Sequence, residues 1–217
     1  MDFAAARQHM VDSQVRTNDV TDMRIQKAFE TVERERFLPA EFRMQAYVEK
    51  EIPYAPGRAL ITARDHAKLL AALAIDPKDL ILDVAGGTGY PAAILAQLGD
   101  MVVSVENDET LAAQAQANWA AAGVVNAATV SGEPSKGAQS QGPFDIIVIA
   151  GVIEIEPVTL LSQLKDGGRL GAILRRNGVS KGVVWRRSGA ATAPQEIFDA
   201  SARSIIPGFA RPKAFVF

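Results

Sequence analysis

The 217-residue chain has no cysteine, which excludes disulfides, thiolate metal sites and a cysteine nucleophile. Its only imidazoles are His9 and His66, too few for a histidine-rich metal site, and no metal is expected. The formal net charge of −2 provides no global positive field, so nucleic acid is not an expected partner. No apolar run approaches the ~20 residues of a membrane span, and the opening M-D-F-A-A-A-R-Q-H-M is too polar for a signal peptide. A cytoplasmic location is the expectation. What remains is 48% hydrophobic and 22% charged, ordinary for a soluble globular protein. The length allows one domain, or a domain with a helical lobe.

The chain divides by texture. Residues 1 to about 50 read as helices, with Met10, Val11, Gln14 and Val15 on one face and Met23, Ile25, Ala28, Phe29 and Val32 on another. Turn residues crowd into 52–64 (I-P-Y-A-P-G-R-A-L-I-T-A-R), and a helix is expected over 65–74. From there strands and helices alternate: strand 79–84, helix 90–98, strand 101–105, helix 109–122, strands 126–130 and 144–149, helix 157–165. The Ile/Val runs are continuous, as parallel strands buried on both faces require. This predicts a doubly wound, Rossmann-like α/β sheet over 77–217, preceded by an N-terminal helical lobe and substrate-side loop over 1–76, the two forming one compact unit. After Gly167-Gly168, segments 169–175, 181–187 and 213–217 read as strands without long helices between them, so an antiparallel C-terminal edge is expected. The run from Arg169 to Arg187 is basic and reads as the solvated face of an edge hairpin.

The stretch I-L-D-V-A-G-G-T-G-Y-P-A-A (81–93) joins a strand to a small-residue helix through glycines that let the backbone approach a ligand. Alone, G-T-G-Y-P-A also fits a dinucleotide fingerprint. Asp83 ends the first strand, Glu106 the second, and Glu133 follows the third. In a doubly wound sheet ligands sit over the carboxyl ends of the strands, so three carboxylates would face one crevice. A diphosphate close to Asp83 would be repelled by roughly 4 kcal/mol at 4 Å in an intermediate dielectric. S-adenosylmethionine carries an ammonium and a sulfonium and no phosphate. Asp83 can attract its amino-acid end, Glu106 can accept the ribose hydroxyls, and Asn107 and Glu133 can meet the adenine. A nicotinamide cofactor remains the alternative on these residues. Asp108 is expected to cap the following helix.

The sequence resembles the protein-L-isoaspartate O-methyltransferases. Four N-terminal pieces carry the likeness: M-V-D-S-Q-V-R (10–16), V-E-R-E-R-F-L-P (32–39), Ala46-Tyr47 and I-P-Y-A-P-G (52–57). D-V-A-G-G-T-G-Y (83–90) is similar to the family's E-x-G-x-G-S-G-Y. Gly132-Glu133 is similar to its G-D-G turn. P-F-D-I-I-V (143–148) and L-S-Q-L-K-D-G-G-R (161–169) resemble its P-F-D and Q-L-x-x-G-G segments. The resemblance implies S-adenosylmethionine as cofactor, held by Asp83, Ala85, Gly86, Gly87, Gly89, Glu106, Asn107, Gly132 and Glu133. It also implies methyl transfer to isoaspartyl carboxylates of damaged peptides or proteins.

The departures are local. The family's G-x-T-I-S places a serine near the substrate carboxylate; here the segment is G-R-A-L-I-T-A-R (57–64), with Ile61 at that position. Thr62 supplies a hydroxyl only if the loop shifts by one residue, and is equally readable as the N-cap of the following helix, with Asp65 three residues on. Arg58 or Arg64 could clamp a carboxylate, and Ile61, Thr62 and Arg64 are the candidates on the substrate side. Ala85 replaces the first glycine and fits if its backbone angles are ordinary. Glu154 and Glu156 stand where neutral residues are usual. Two alternatives to the repair reaction follow: a cofactor-binding relative with weak or lost isoaspartyl activity, acting as a sensor or adaptor, and a methyltransferase for another acceptor.

Overall fold

The computed structural model describes residues 2–212; the strand expected over 213–217 lies outside them. The chain starts with α1 (Phe3–Met10) and α2 (Met23–Thr31), whose N-termini are capped by Asp2 and Asp22. Met10, Val11, Gln14 and Val15 are buried, as are Ile25, Ala28, Phe29 and Val32. Met23 departs from its expected face: as the first residue of α2 it lies 66% exposed.

The region expected to be turns contains a hairpin, β1 (Ile52–Ala55) and β2 (Arg58–Leu60), antiparallel and separate from the main sheet. It reverses at Gly57, whose φ of +69° suits glycine. Helix α3 (Ala63–Leu73) starts two residues before the expected point because Thr62 caps it, accepting a hydrogen bond from the Asp65 amide (3.1 Å).

The main sheet has seven strands: β3 (Leu80–Val84), β4 (Met101–Glu106), β5 (Ala127–Ser131), β6 (Phe144–Ile153), β7 (Leu164–Arg176), β8 (Val179–Ser188) and β9 (Ala191–Asp199). Their order is β5-β4-β3-β6-β7-β8-β9, parallel from β5 to β7 and antiparallel at β8 and β9. Between strands lie α4 (Tyr90–Leu95), α5 (Glu109–Ala122) and α6 (Val158–Leu161). This is the Rossmann-like α/β sheet with an antiparallel edge that the sequence predicts. The helix expected over 157–165 is a single turn. The chain enters β7 already at Leu164, and Gly167 (φ +76°) and Gly168 lie within that strand, where the pairing with β6 shifts register. Strand β9 was not anticipated; its A-T-A-P-Q-E run has no apolar alternation and carries a proline, as an edge strand can.

Alternate residues of the strands serve opposite faces. Ile81, Val102, Ile146 and Val148 pack with α3, α4 and the N-terminal helices. Leu82, Val84, Val103, Val105, Ile147 and Ile149 pack with α6, Trp185, Ile206 and Phe209. The basic segment is largely paired: Arg169 with Asp79 (3.2 Å), Arg175 with Glu154 (2.9 Å), Lys181 with Asp199. Arg176 and Arg186 are exposed. Glu156 accepts a hydrogen bond from the Trp185 indole (2.9 Å), so both unusual acids have local partners.

Candidate functional site

Parallel pairing of β3 with β4 puts Asp83 opposite Ser104 and Val84 opposite Val105, and the next residue of β4 is Glu106. The site is therefore built at the carboxyl ends of the central strands, beside the point where the chain order reverses between β3 and β6. Asp83 is fully buried. Its Oδ2 accepts a hydrogen bond from the Ser104 hydroxyl (2.9 Å), and its Oδ1 has no partner. Burial drives its pKa up to about 7, against the lowering effect of the Ser104 hydrogen bond. A buried carboxylate with one empty oxygen is held ready for a donor, above all a cationic one.

The glycines are required by contact as well as by curvature. A methyl on Gly86 would collide with the Ser104 hydroxyl and meet Asp83 Oδ2 at 2.7 Å. A methyl on Gly87 would lie 2.6 Å from Tyr54 Cζ, and Gly89 (φ +92°) caps α4 with its carbonyl accepting from the Trp119 indole (2.8 Å). Ala85 does not have the ordinary backbone expected of it: its φ is +59°, a left-handed conformation that costs an alanine about 1–2 kcal/mol. Thr88 fixes the loop to the N-terminal lobe by donating to the Phe37 carbonyl (2.7 Å).

Glu106 is the most heavily hydrogen-bonded acid of the site. Its Oε2 accepts from the Gly87 amide (2.9 Å) and Arg58 Nη2 (2.8 Å). Its Oε1 accepts from the Asn107 and Asp108 amides (3.0 and 3.2 Å) and Arg58 Nη1 (3.3 Å). Burial opposes its ionisation, but the Arg58 hydrogen bond and charge outweigh it and leave the pKa lowered. The Arg58–Glu106 pair is almost wholly sheltered, with side chains 6% and 1% exposed. Arg58 also donates to the Ala85 carbonyl (2.9 Å) and to the Tyr54 hydroxyl (3.0 Å), and burial pushes the Tyr54 phenol up to about 12. An open cleft of about 540 Å³ adjoins this cluster, lined by Pro56, Arg58, Asn107, Asp108 and Leu111. Asp108 caps α5, accepting from the Thr110 and Leu111 amides (2.9 and 3.1 Å).

The other expected residues fall differently. Gly132 donates its amide to the Glu106 carbonyl (3.1 Å), whereas Glu133 is exposed and shares no hydrogen bond with Asp83 or Glu106. Ile61 is buried in an apolar cluster with Val152, Ile173 and Ala202, and its carbonyl accepts from Arg34 (2.7 Å). The Thr62 hydroxyl is committed to its cap. Arg64 is turned away, bonded to Asn18 (3.1 Å), Asp65 (2.7 Å) and the Asp199 carbonyl (3.1 Å). Of the two arginines considered for a carboxylate clamp, only Arg58 faces the glycine loop. Sequence reasoning missed Ser104, although a lone serine in the aliphatic run M-V-V-S-V was the available signal. It also missed the closure of Tyr54 and Arg58 over the glycines.

The donor set suits a phosphate-free, cationic nucleoside cofactor: Asp83 offers an empty buried oxygen, and Glu106 ends the neighbouring strand. Among the described residues no group of acids and histidines is placed to hold a metal, and no helix is long and apolar enough to cross a membrane.

Comparison with known proteins agrees. The family model for protein-L-isoaspartate (D-aspartate) O-methyltransferase matches residues 5–190. A protein-L-isoaspartate O-methyltransferase of Koribacter versatilis is 35% identical over 168 residues, 77% of this chain and 76% of that protein. One from Maricaulis maris is 32% identical over 197 residues, covering 91% and 92%. A solved protein-L-isoaspartate O-methyltransferase superposes with a TM-score of 0.77 at 23% identity, over 93% of this chain and 66% of that one. A second solved structure, from Plasmodium falciparum and in complex with S-adenosyl-L-homocysteine, has a TM-score of 0.77 at 16% identity, covering 91% and 97%. The last two bear on the fold; the family model and the closer sequences bear on descent. The chain belongs to the protein-L-isoaspartate (D-aspartate) O-methyltransferase family, enzymes that use S-adenosylmethionine to methylate isoaspartyl residues.

Proposed function

We propose that this chain transfers a methyl group to the side-chain carboxylate of isoaspartyl residues in peptides or damaged proteins, with the cofactor held at the ends of β3 and β4. The observation that carries the reading is the unpartnered buried Oδ1 of Asp83 beside a glycine loop that tolerates no side chain at Gly86. In this reading Asp83 receives the ammonium of the cofactor and Glu106 its ribose hydroxyls. Ala85, Gly86, Gly87 and Gly89 line it with backbone, and Asn107, Gly132 and Glu133 border the adenine side.

The cofactor supplies an activated methyl on a sulfonium. The acceptor carboxylate has a pKa near ~4 and is already ionised at neutral pH, so no general base is needed. His66 agrees with that economy: it is buried, with a pKa pushed down to about 3 by burial and by the charge of Arg34. The protein's contribution is alignment and exclusion of water. Ile61, Thr62 and Arg64 receive no proton-transfer role. Their hydroxyl and guanidinium groups are engaged elsewhere, and the segment bounds the acceptor side through backbone and apolar surface.

Labelled methyl transfer to paired peptides, one isoaspartyl and one aspartyl, tests the proposal. Transfer selective for the isoaspartyl peptide is expected. Cofactor binding without transfer favours the second reading, a relative that has lost or changed its acceptor, for which the apolar setting of Ile61 speaks.

A further inference from the structure

We infer that Arg58 is a two-position specificity residue: paired with Glu106 it closes the ribose site, and displaced by the cofactor it becomes the partner of the acceptor carboxylate. The inference rests on the cofactor placement proposed above.

The first half follows from donor counting at Glu106. A carboxylate offers about four lone-pair positions. Five donors already converge on this one: three backbone amides and two guanidinium nitrogens. The amides belong to the glycine loop and the start of the following loop and are fixed by the fold. The guanidinium comes from a residue 48 positions away, on the β1–β2 hairpin. Two ribose hydroxyls can therefore reach Glu106 only in place of Arg58. The same hairpin seats Tyr54 against Gly87, at the spot left clear by the missing side chain, with Arg58 over its ring (5.6 Å). The hairpin is suited to movement. It has only two short strands, is not hydrogen-bonded into the seven-stranded sheet, and turns at Gly57, which has nothing within 4 Å of a notional Cβ.

The second half follows from what remains for the substrate. The loop position that carries a serine in the family is Ile61, buried against Val152 and Ile173, and the adjacent Thr62 hydroxyl caps α3. Arg64 is bound to Asp65 on the far side. Arg58, three residues before Ile61, is the cation that the incoming cofactor sets free, and a planar guanidinium suits a carboxylate bidentately. Cofactor and acceptor are thereby linked: the first releases the residue that the second requires, and by linkage each strengthens binding of the other by the same factor.

The test uses calorimetric titration of S-adenosylhomocysteine into the full chain, with and without a saturating isoaspartyl peptide, in wild type, Arg58→Met and Arg58→Lys. In Arg58→Met, S-adenosylhomocysteine alone should bind on the order of tenfold more tightly, because no closed state competes, and the added peptide should no longer tighten it. Arg58→Lys should keep part of the coupling. In wild type, hydrogen exchange of residues 52–60 should rise on adding S-adenosylhomocysteine, a readout that needs no variant. Equal or weaker binding by Arg58→Met, or unchanged or slower exchange of the hairpin, overturns the inference. Absence of S-adenosylhomocysteine binding in both wild type and Arg58→Met overturns the cofactor placement itself. Binding by Arg58→Met alone supports the gate in its strongest form.

Discussion

Asp83 makes the cofactor reading quantitative. Its carboxyl is fully buried, has one oxygen on Ser104 and one empty, and titrates at about 7. Displacing the midpoint from 3.8 to about 7 disfavours the ionised form by ~4 kcal/mol. A ligand ammonium on Oδ1 recovers part of that by stabilising the anion. Only the ionised form attracts it, so affinity should follow ionisation. About 3% of Asp83 is ionised at pH 5.5 and about three-quarters at pH 7.5; with the neutral form binding about tenfold more weakly, S-adenosylhomocysteine should bind roughly sevenfold more weakly at the lower pH. Glu106, with its lowered pKa, stays ionised throughout and does not contribute to the slope. Asp83→Asn should lose roughly tenfold in affinity at pH 7.5, the scale of a charge-assisted hydrogen bond, and should give a flat profile. Titration calorimetry at four pH values in both proteins measures this. A flat wild-type profile, or undiminished affinity of Asp83→Asn at pH 7.5, refutes the role of Asp83 as ammonium partner.

Three further predictions concern the fold around the site. Ala85→Gly should raise the unfolding free energy by about 0.5–1 kcal/mol, because it relieves a left-handed alanine at some entropic cost; a urea midpoint at or below wild type contradicts the strain. Ile61→Ser should destabilise by about 2–3 kcal/mol without a gain in methyl transfer, since its hydroxyl would be buried against Val152, Ile173 and Ala202; a gain in transfer would mean that position 61 can face the crevice. His66 and Asp83 pull stability in opposite directions with pH. His66 stays neutral in the fold down to about 3 but protonates near 6.5 when unfolded, so it lowers stability as pH falls through that window. Asp83 holds its proton in the fold up to about 7 but loses it near 3.8 when unfolded, so it lowers stability as pH rises through that window. Relative to wild type, His66→Phe should therefore become more stable on acidification from pH 6.5 to 4.5, and Asp83→Asn should become less stable. Parallel pH profiles for the three proteins contradict the assignment.

How far the sequence carries is best seen residue by residue. Continuous Ile/Val runs identify β3, β4 and β6 because strands buried on both faces need them, and the acid at the end of such a run marks Glu106. The Asp108 cap was readable because capping is local chemistry. Ala85 was not: a left-handed angle is imposed by the closure of β3 on the glycine loop, where the Ala85 amide bonds the Val105 carbonyl (2.9 Å). Nor was the Arg58–Glu106 pair, which depends on a short hairpin folding back over a distant strand end. Thr62 and Arg64 looked like substrate groups because their local sequence aligns beside the family's serine. The Thr62 cap is local, with Asp65 three residues on, and is as legible in the sequence as a substrate role; the partners of Arg64 lie in the N-terminal lobe and at the end of β9, which no local pattern specifies.

The most direct test of the account is a crystal structure with S-adenosylhomocysteine bound. It should show the ribose hydroxyls on Glu106, the amino group on Asp83 Oδ1, and the Arg58 guanidinium no longer hydrogen-bonded to Glu106. A ligand held elsewhere, or one bound at β3 and β4 with the Arg58–Glu106 pair intact, would contradict it.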